Sequence, residues 1–172
     1  MGAELEDLIR NIPDFPKKGI LFRDITTLLK DGKGWRRAVD AIYDRYKDAK
    51  IDKVVSIEAR GFLLGGVLAY KLGCGVVPLR KPGKLPWNRV SESYDLEYGS
   101  ATIEMHTDAI EEGDRVLIVD DLLATGGTAR AAARLVEGQG GEIVAIAFII
   151  GLTDLEGDKL LGDYEVFSLI NY

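Results

Sequence analysis

The run VLIVDDLLATGGTA, residues 116–129, decides the fold. Four consecutive apolar residues, 116–119, lead into Asp120 and Asp121, then a Leu-Leu-Ala bridge, then Thr125-Gly126-Gly127-Thr128. An apolar run that does not alternate reads as a strand buried on both faces, the kind found in parallel sheets. Ala129, Ala132, Ala133 and Val136 follow at helical spacing, so a helix is predicted from about Thr125 until Gly138, Gly140 and Gly141 end it. The two aspartates therefore come where the chain leaves the core, which is costly unless they meet cations or hydroxyl donors. The glycines beside them let backbone approach a ligand, and the first N–H groups of a helix point outward unpaired. The helix dipole and two threonine hydroxyls add to the attraction for an anion. The stretch reads as a phosphosugar cradle: carboxylates for sugar hydroxyls, amides and hydroxyls for a terminal phosphate. It is not a Walker A loop, lacking Gly-Lys-Ser/Thr, nor a Gly-x-Gly-x-x-Gly dinucleotide fingerprint. The bland alternative is a tight strand-to-helix turn with solvated aspartates. Strand, acidic pair and Thr-Gly-Gly-Thr in one register argue against it.

Working outward, IVAIAFII (143–150) is the next buried strand and completes a βαβ unit. A second such unit precedes it: VVSI (54–57), a turn over 58–61, the apolar helix FLLGGVLAYKL (62–72) closed by Gly73, and VVPL (76–79). VFSLI (166–170) is a candidate last strand. Near the start, Leu5, Leu8, Ile9 and Ile12 predict a short amphipathic helix, which IPDFPKKG (12–19) stops. Trp35, Ala38, Val39, Ile42, Tyr43 and Tyr46 predict another. Residues 80–99 are basic, then polar, and rich in turn formers, so they read as a long loop or a loose hairpin over the body. SATIEMHTD (100–108) alternates weakly, as an antiparallel strand would. The expected fold class is α/β, a mostly parallel twisted sheet with helices on both faces, in one domain over 1–172. Ligands in such sheets bind beyond the carboxyl ends of the strands. Three segments fall there: 58–61, 80–84 and 120–128.

Composition bounds the function. The chain has 172 residues, 47% of them apolar, enough for a sizeable core. A formal charge of −6 argues against a protein that coats nucleic acid, so no nucleic-acid partner is expected. The lone Cys74 excludes an internal disulfide, and with the lone His106 it cannot form a zinc cluster; both read as structural, Cys74 as a small buried filler. The acidic start MGAELEDLIR is no signal peptide, and no apolar run approaches membrane-spanning length, so no membrane partner and a cytoplasmic location are expected.

The 116–129 run resembles the phosphoribosyl diphosphate motif of the type I phosphoribosyltransferases. FPKKGILFRDIT, EARGFLLG, RKPGKLP, SYDLEYG and DDLLATGGT occur in the order and spacing of the adenine phosphoribosyltransferase family, from Ile12 nearly to the end. The resemblance implies conversion of adenine and phosphoribosyl diphosphate to AMP and pyrophosphate in purine salvage. It implies a parallel sheet with a flexible hood loop, a homodimer, and Mg2+ bound mainly through the diphosphate. By the same resemblance, Asp120 and Asp121 face the ribose hydroxyls and reach the metal through water. Ala124 (through its amide), Thr125, Gly126, Gly127 and Thr128 hold the sugar phosphate. Arg60 meets the diphosphate, in a turn that can form a backbone nest. Lys81 and Lys84, with Arg80 at the loop's start, stabilise the departing pyrophosphate.

Glu97 and Tyr98 lie on the implied hood. Glu97, Lys81 and Arg60 are the implied catalytic set. Glu97 either stabilises a cation-like sugar or exchanges a proton with the incoming base. Leu21, Phe22 and Arg23 match the purine pocket, with Phe22 stacking, main-chain groups of its neighbours reading the base edge, and Leu152 closing the other face. Without the resemblance, Arg60 reads as a surface ion pair, Glu97 as an exposed loop acid, and Leu21, Phe22 and Leu152 as core. Trp87 to Val90 and Gly151 match no motif. Two alternatives stay open: another purine base (hypoxanthine, guanine or xanthine), and a non-catalytic regulator that senses phosphoribosyl diphosphate or purine.

Overall fold

The computed structural model describes residues 2–96 and 99–172. The chain runs α1 (Gly2–Glu6), β1 (Arg10–Pro13), β2 (Leu21–Asp24), α2 (Thr26–Lys30), α3 (Gly32–Tyr46), β3 (Lys53–Ile57), α4 (Gly61–Leu72) and β4 (Gly75–Leu79). It continues through β5 (Arg89–Asp95), β6 (Ser100–His106), β7 (Arg115–Leu123), α5 (Gly127–Gly138), β8 (Glu142–Gly151), a single 3-10 turn, α6 (Gly157–Leu160) and β9 (Val166–Asn171). Five strands form one parallel sheet in the order β4-β3-β7-β8-β9. Two antiparallel hairpins, β1-β2 and β5-β6, flank it.

The unalternating apolar runs have their explanation in the two layers of helices. Along β7, Leu117 and Val119 pack with Ala38, Val39 and Ile42 of α3 and Leu64 and Leu68 of α4. Val116 and Ile118 point to the opposite face and pack with Ala129, Ala132, Ala133 and Val136 of α5. Each large side chain buried this way contributes about 1.5–3 kcal/mol relative to exposure. The helices stop where the sequence stops them. Asp31 accepts the Gly34 N–H at 2.6 Å to cap α3, and Gly73 closes α4 in the left-handed region at φ +70°.

Three sequence expectations need correction. The first helix ends at Glu6, and Ile12 lies on β1 opposite Phe22. A residue before proline is disfavoured in the helical region, so Pro13 pulls Ile12 into an extended conformation. The segment 12–19 is then a hairpin connection, with Asp14 accepting the Gly19 N–H at 2.7 Å. Second, β7 does not end before the aspartates. It continues to Leu123, pairing Asp120 with Phe148 and Leu122 with Ile150 on β8. Its pairing with β3 stops at Val119. The acidic pair thus sits on a step in the sheet, held by backbone on one side and open on the other, and α5 begins at Gly127 rather than near Thr125. Third, Cys74 is half-buried rather than buried.

Of the two readings for 80–99, a hairpin is found. β5 pairs with β6 from Arg89↔His106 to Asp95↔Ser100 and lies against α5, with Ile103 and Met105 buried there. Trp87 donates its N–H to His106 Nε2 at 3.4 Å, and the Asn88 carbonyl accepts the Thr107 N–H at 3.0 Å. The unassigned segment 87–90 thereby closes the base of the hairpin, and His106 has a structural partner. No described helix is long and apolar enough to cross a membrane.

Candidate active site

The Thr-Gly-Gly-Thr loop is held by backbone packing. Gly126 adopts φ +86°, and a Cβ there would come within 2.5 Å of the Gly157 carbonyl oxygen. Gly157, at the start of α6, in turn leaves no room for a side chain against the Ala124 carbonyl. Only glycine tolerates both the conformation and the approach. Ala124, Thr125, Gly126, Gly127 and Thr128 line a small cavity of about 70 Å³ with Asp120 and Leu122 at its inner wall. That is the room of about two waters, the scale of one small anion. The first N–H groups of α5, a helix of 12 residues, lie at this cavity.

The aspartates share one cation. Arg60, at the start of α4, donates from Nε to Asp121 Oδ2 at 2.5 Å, and Asp121 is only 6% exposed. Asp120 Oδ1 accepts the Asp121 N–H at 2.8 Å. Burial, and then the negative Asp121 beside it, push the Asp120 carboxyl well above its ordinary range. Arg60 is therefore not the solvated surface pair that an isolated arginine suggests, because its partner is buried.

The basic loop is fixed by acids of its own. Glu58 Oε2 accepts the Lys81 N–H at 2.9 Å and Arg80 Nε at 3.1 Å, and Lys84 Nζ lies 3.8 Å from Oε1. The Lys81 N–H first, then Arg80, hold the Glu58 carboxyl below its usual value against the opposing cost of burial. Buried Glu104 accepts the Gly83 N–H at 3.2 Å and pairs with Arg89 at 3.0 Å. Between these anchors the Lys81 side chain lines a cleft of about 440 Å³ together with Arg60, Asp120, Asp121, Thr128 and Tyr94. Among the described residues its ammonium has no hydrogen-bond or ion-pair partner. The cleft abuts the smaller cavity, with Asp120, Leu122 and Thr128 shared. Lys84 stands back from the cleft, at Glu58.

The purine segment lies on β2. Phe22 meets Phe15 edge-on at 5.1 Å between ring centroids, and the Arg60 guanidinium is 5.8 Å from the Phe22 ring. The N-terminal hairpin thus reaches the turn after β3. Leu21 is 47% exposed, so core packing does not account for it. Arg23 donates to Asn11 Oδ1 at 2.5 Å and stacks over Tyr172 at 3.8 Å. Tyr172 donates its N–H to the Gly151 carbonyl, next to Leu152, which brings Arg23 and Leu152 to one end of the sheet. Leu152 also lines a separate groove of about 510 Å³ along β9 that includes none of Leu21, Phe22 or Arg23. Gly151 is explained there: a Cβ would come within 2.7 Å of both Asn171 Oδ1 and Ser168 Oγ. Glu97 and Tyr98 lie outside the described residues.

Four roles were not legible in the sequence, although Glu58 fell within the candidate segment 58–61. Tyr94 touches the phosphate loop from the hairpin, Gly157 supports it from α6, Glu58 ties the basic loop, and Tyr172 stacks on Arg23. The SYDLEYG stretch could have flagged Tyr94, but its spacing does not say which helix it meets.

The phosphoribosyl transferase domain family matches residues 25–172. An adenine phosphoribosyltransferase of Desulfitobacterium hafniense is 59% identical over 171 residues, covering 99% of each chain. The chain belongs to the adenine phosphoribosyltransferase family. The crystal structure of the family's Thermoanaerobacter pseudethanolicus member superposes with a TM-score of 0.97 at 51% identity, covering 100% of both chains. The Saccharomyces cerevisiae member, solved with an imino-altritol bisphosphate and adenine, gives 0.93 at 40% identity, covering 98% of this chain and 97% of that one. The domain-wide match begins after Leu21, Phe22 and Arg23, whereas the likeness to the adenine phosphoribosyltransferases includes them.

Proposed function

We propose that the cleft between β3, β7 and the β5-β6 hairpin transfers a phosphoribosyl group from phosphoribosyl diphosphate to adenine, giving AMP and pyrophosphate. Adenine phosphoribosyltransferase activity, with its place in purine salvage, is the activity of the chain's family. The observation that carries the residue-level reading is the charge arrangement. Two carboxylates share one guanidinium beside an anion-sized backbone loop, and a lysine with no partner among the described residues faces them across one cleft.

In this reading Thr125 to Thr128 and the Ala124 amide hold the sugar phosphate, and Asp120 and Asp121 accept hydrogen bonds from the ribose hydroxyls. Arg60 and Lys81 take the diphosphate, with Lys84 behind them at Glu58 adding its positive charge. As the bond from the anomeric carbon to the diphosphate oxygen breaks, charge grows on the leaving group, and these fixed cations stabilise it without reorganising. A ring nitrogen of adenine forms the new bond to that carbon and loses its proton. Glu97 stabilises the cation-like sugar or takes the proton, with Tyr98 beside it on the hood. Phe22 stacks on the base, backbone groups of Leu21 and Arg23 read its edge, and Leu152 covers the other face.

Mg2+ fits this donor set. Among the described residues no group of three or more His, Cys, Asp or Glu could hold an ion by itself. Two carboxylates plus substrate phosphates and water are what this small, strongly hydrated cation accepts. When bound it would neutralise diphosphate charge, with Asp120 and Asp121 reaching it through water.

A homodimer is supported by α4. That helix is apolar around most of its circumference, with Lys71 in its last turn the one charged residue, and such helices belong in an interior. Leu64, Leu68 and Ala69 are buried, yet Leu63, Val67 and Tyr70 are 50%, 37% and 87% exposed, and Val76 on the edge strand β4 is 47% exposed. A second copy on this face would cover them. A cytoplasmic location accords with the composition.

The test is pyrophosphate release with phosphoribosyl diphosphate and Mg2+ against adenine, hypoxanthine, guanine and xanthine. Release with adenine and AMP as product is expected. Release with another purine alone would discard the Phe22 pocket and keep the cradle. Saturable binding with no release would make the chain a regulator.

A further inference from the structure

Tyr94 links two parts of the site that the sequence leaves separate. It lies on β5, opposite Ala101 on β6. Its ring packs where a Cβ on Gly127 would come within 3.1 Å of Cδ2, and its hydroxyl is 2.9 Å from Thr128 Oγ1. Tyr94 and Thr128 line the cleft that holds Asp120, Asp121 and Lys81. The other polar tie from β5 to α5, Glu92 to Arg134 at 2.9 Å, lies further along the helix with the arginine side chain 55% exposed. Exposed pairs of that kind are weak. Among the described residues, Tyr94 makes the hairpin's one hydrogen bond to the phosphate loop.

We propose that Tyr94 is a positioning residue for the terminal phosphate of the ribosyl donor, acting through Thr128. The inference rests on the phosphosugar reading above. A threonine hydroxyl has one proton to donate and two lone pairs to accept with. Thr128 donates that proton to the Tyr94 oxygen. A phosphate in the loop is the stronger acceptor. The bond then reverses with no heavy atom moving: Tyr94 O–H donates to Thr128 Oγ1, and Thr128 O–H turns to the anion. Each bond polarises the next, so the phosphate tightens the hold of the loop on the hairpin. By linkage, the hairpin's hold raises affinity for the phosphate by the same factor. The β5-β6 hairpin is thereby fastened to the cradle when the donor is bound.

The test is calorimetric binding of ribose 5-phosphate, with steady-state kinetics, for Tyr94→Phe, Thr128→Val, Thr128→Ser and the pairs with Tyr94→Phe. Removing one hydrogen bond of this kind should weaken ribose 5-phosphate binding about fivefold and raise the KM for phosphoribosyl diphosphate alike. The kcat should fall by no more than about twofold, and the KM for adenine at saturating donor should move no further, whereas general loosening of the hairpin would move both. In the Thr128→Val background Tyr94→Phe should have no added effect; in Thr128→Ser, which keeps the hydroxyl, the fivefold loss should return. Wild-type affinity in Tyr94→Phe, or an equal loss with and without the Thr128 hydroxyl, overturns the inference alone. Failure of the unmodified protein to bind ribose 5-phosphate overturns the phosphosugar reading and this inference with it.

Discussion

Glu58 and Asp120 stand at the same end of adjacent parallel strands, and their carboxyls have been treated in opposite ways. Glu58 is met by the Lys81 N–H, Arg80 and Lys84, and it ionises more readily than a free glutamate. The Asp120 carboxyl is buried beside a second carboxylate, Asp121, which takes the ion pair with Arg60, and Asp120 ionises less readily than a free aspartate. The first arrangement completes itself and fixes a loop. In the second, the Asp121 N–H is the hydrogen-bond donor to Asp120 among the described residues, and a cation or a set of hydroxyl donors would complete it. An acid that the fold satisfies is structural; an acid that the fold buries and leaves short of partners is a binding group.

The largest effect that could break this contrast comes from the incomplete side. Replacing Asp120 and Asp121 together with Asn should weaken phosphoribosyl diphosphate binding by at least about a hundredfold, since charged hydrogen bonds contribute about 1.5–3 kcal/mol each. Unchanged affinity in a titration would remove the cradle. Glu97→Gln asks whether the hood carries a third acid of the ligand-directed kind. Its kcat should fall about a hundredfold, with a smaller change in substrate KM, and normal turnover would return Glu97 to an exposed loop acid. On the satisfied side, Glu58→Gln keeps an acceptor for the Lys81 N–H but loses the charge that holds Arg80 and Lys84. The KM for phosphoribosyl diphosphate should rise about tenfold, from a basic loop less well placed. A change as large as that of the double Asn variant would erase the distinction between the two acids.

The smallest effect is in the pH dependence of stability, and there the two acids have opposite signs. Glu58's folded pKa lies below its ordinary 4.5, so its contribution is present above that value and is lost as pH falls through the folded pKa. Asp120's folded pKa lies above its ordinary 3.8, so its contribution is fully present below 3.8 and is lost as pH rises through the folded pKa. Melting curves of Glu58→Gln should lose part of the acid-side destabilisation. Those of Asp120→Asn should lose part of the decline on the other side.

The sheet was legible because burial on both faces leaves a plain mark: the unalternating apolar runs 116–119 and 143–150, each bounded by turn formers or charge, read as strands between two layers. The α3 and α5 stripes were legible for the same reason. What the sequence could not carry was adjacency. Arg60 meets Asp121 because β3 lies beside β7, and β4 follows β3 in the chain without separating them in the sheet. Nothing local to either residue encodes that order. The step that exposes the aspartates depends on β8 continuing past the end of the β3 pairing, again a matter of neighbours. Tyr94 reaches Thr128 through a hairpin register fixed by pairs as far apart as Arg89 and His106. Helical spacing over 5–12 misled for the opposite reason, since a local rule at Pro13 outweighed a periodic pattern.

The central claim is that Asp120 is held short of partners for the sake of its ligand, and melting of Asp120→Asn with and without Mg2+ and phosphoribosyl diphosphate tests it most directly. Asn keeps the acceptor for the Asp121 N–H and removes the buried charge. Without ligand the variant should melt about 2–4 °C above the unmodified chain, the shift that about 1 kcal/mol produces at this size. With ligand its gain in melting temperature should be clearly smaller than that of the unmodified chain. A variant that melts lower without ligand and gains as much with it would contradict the account.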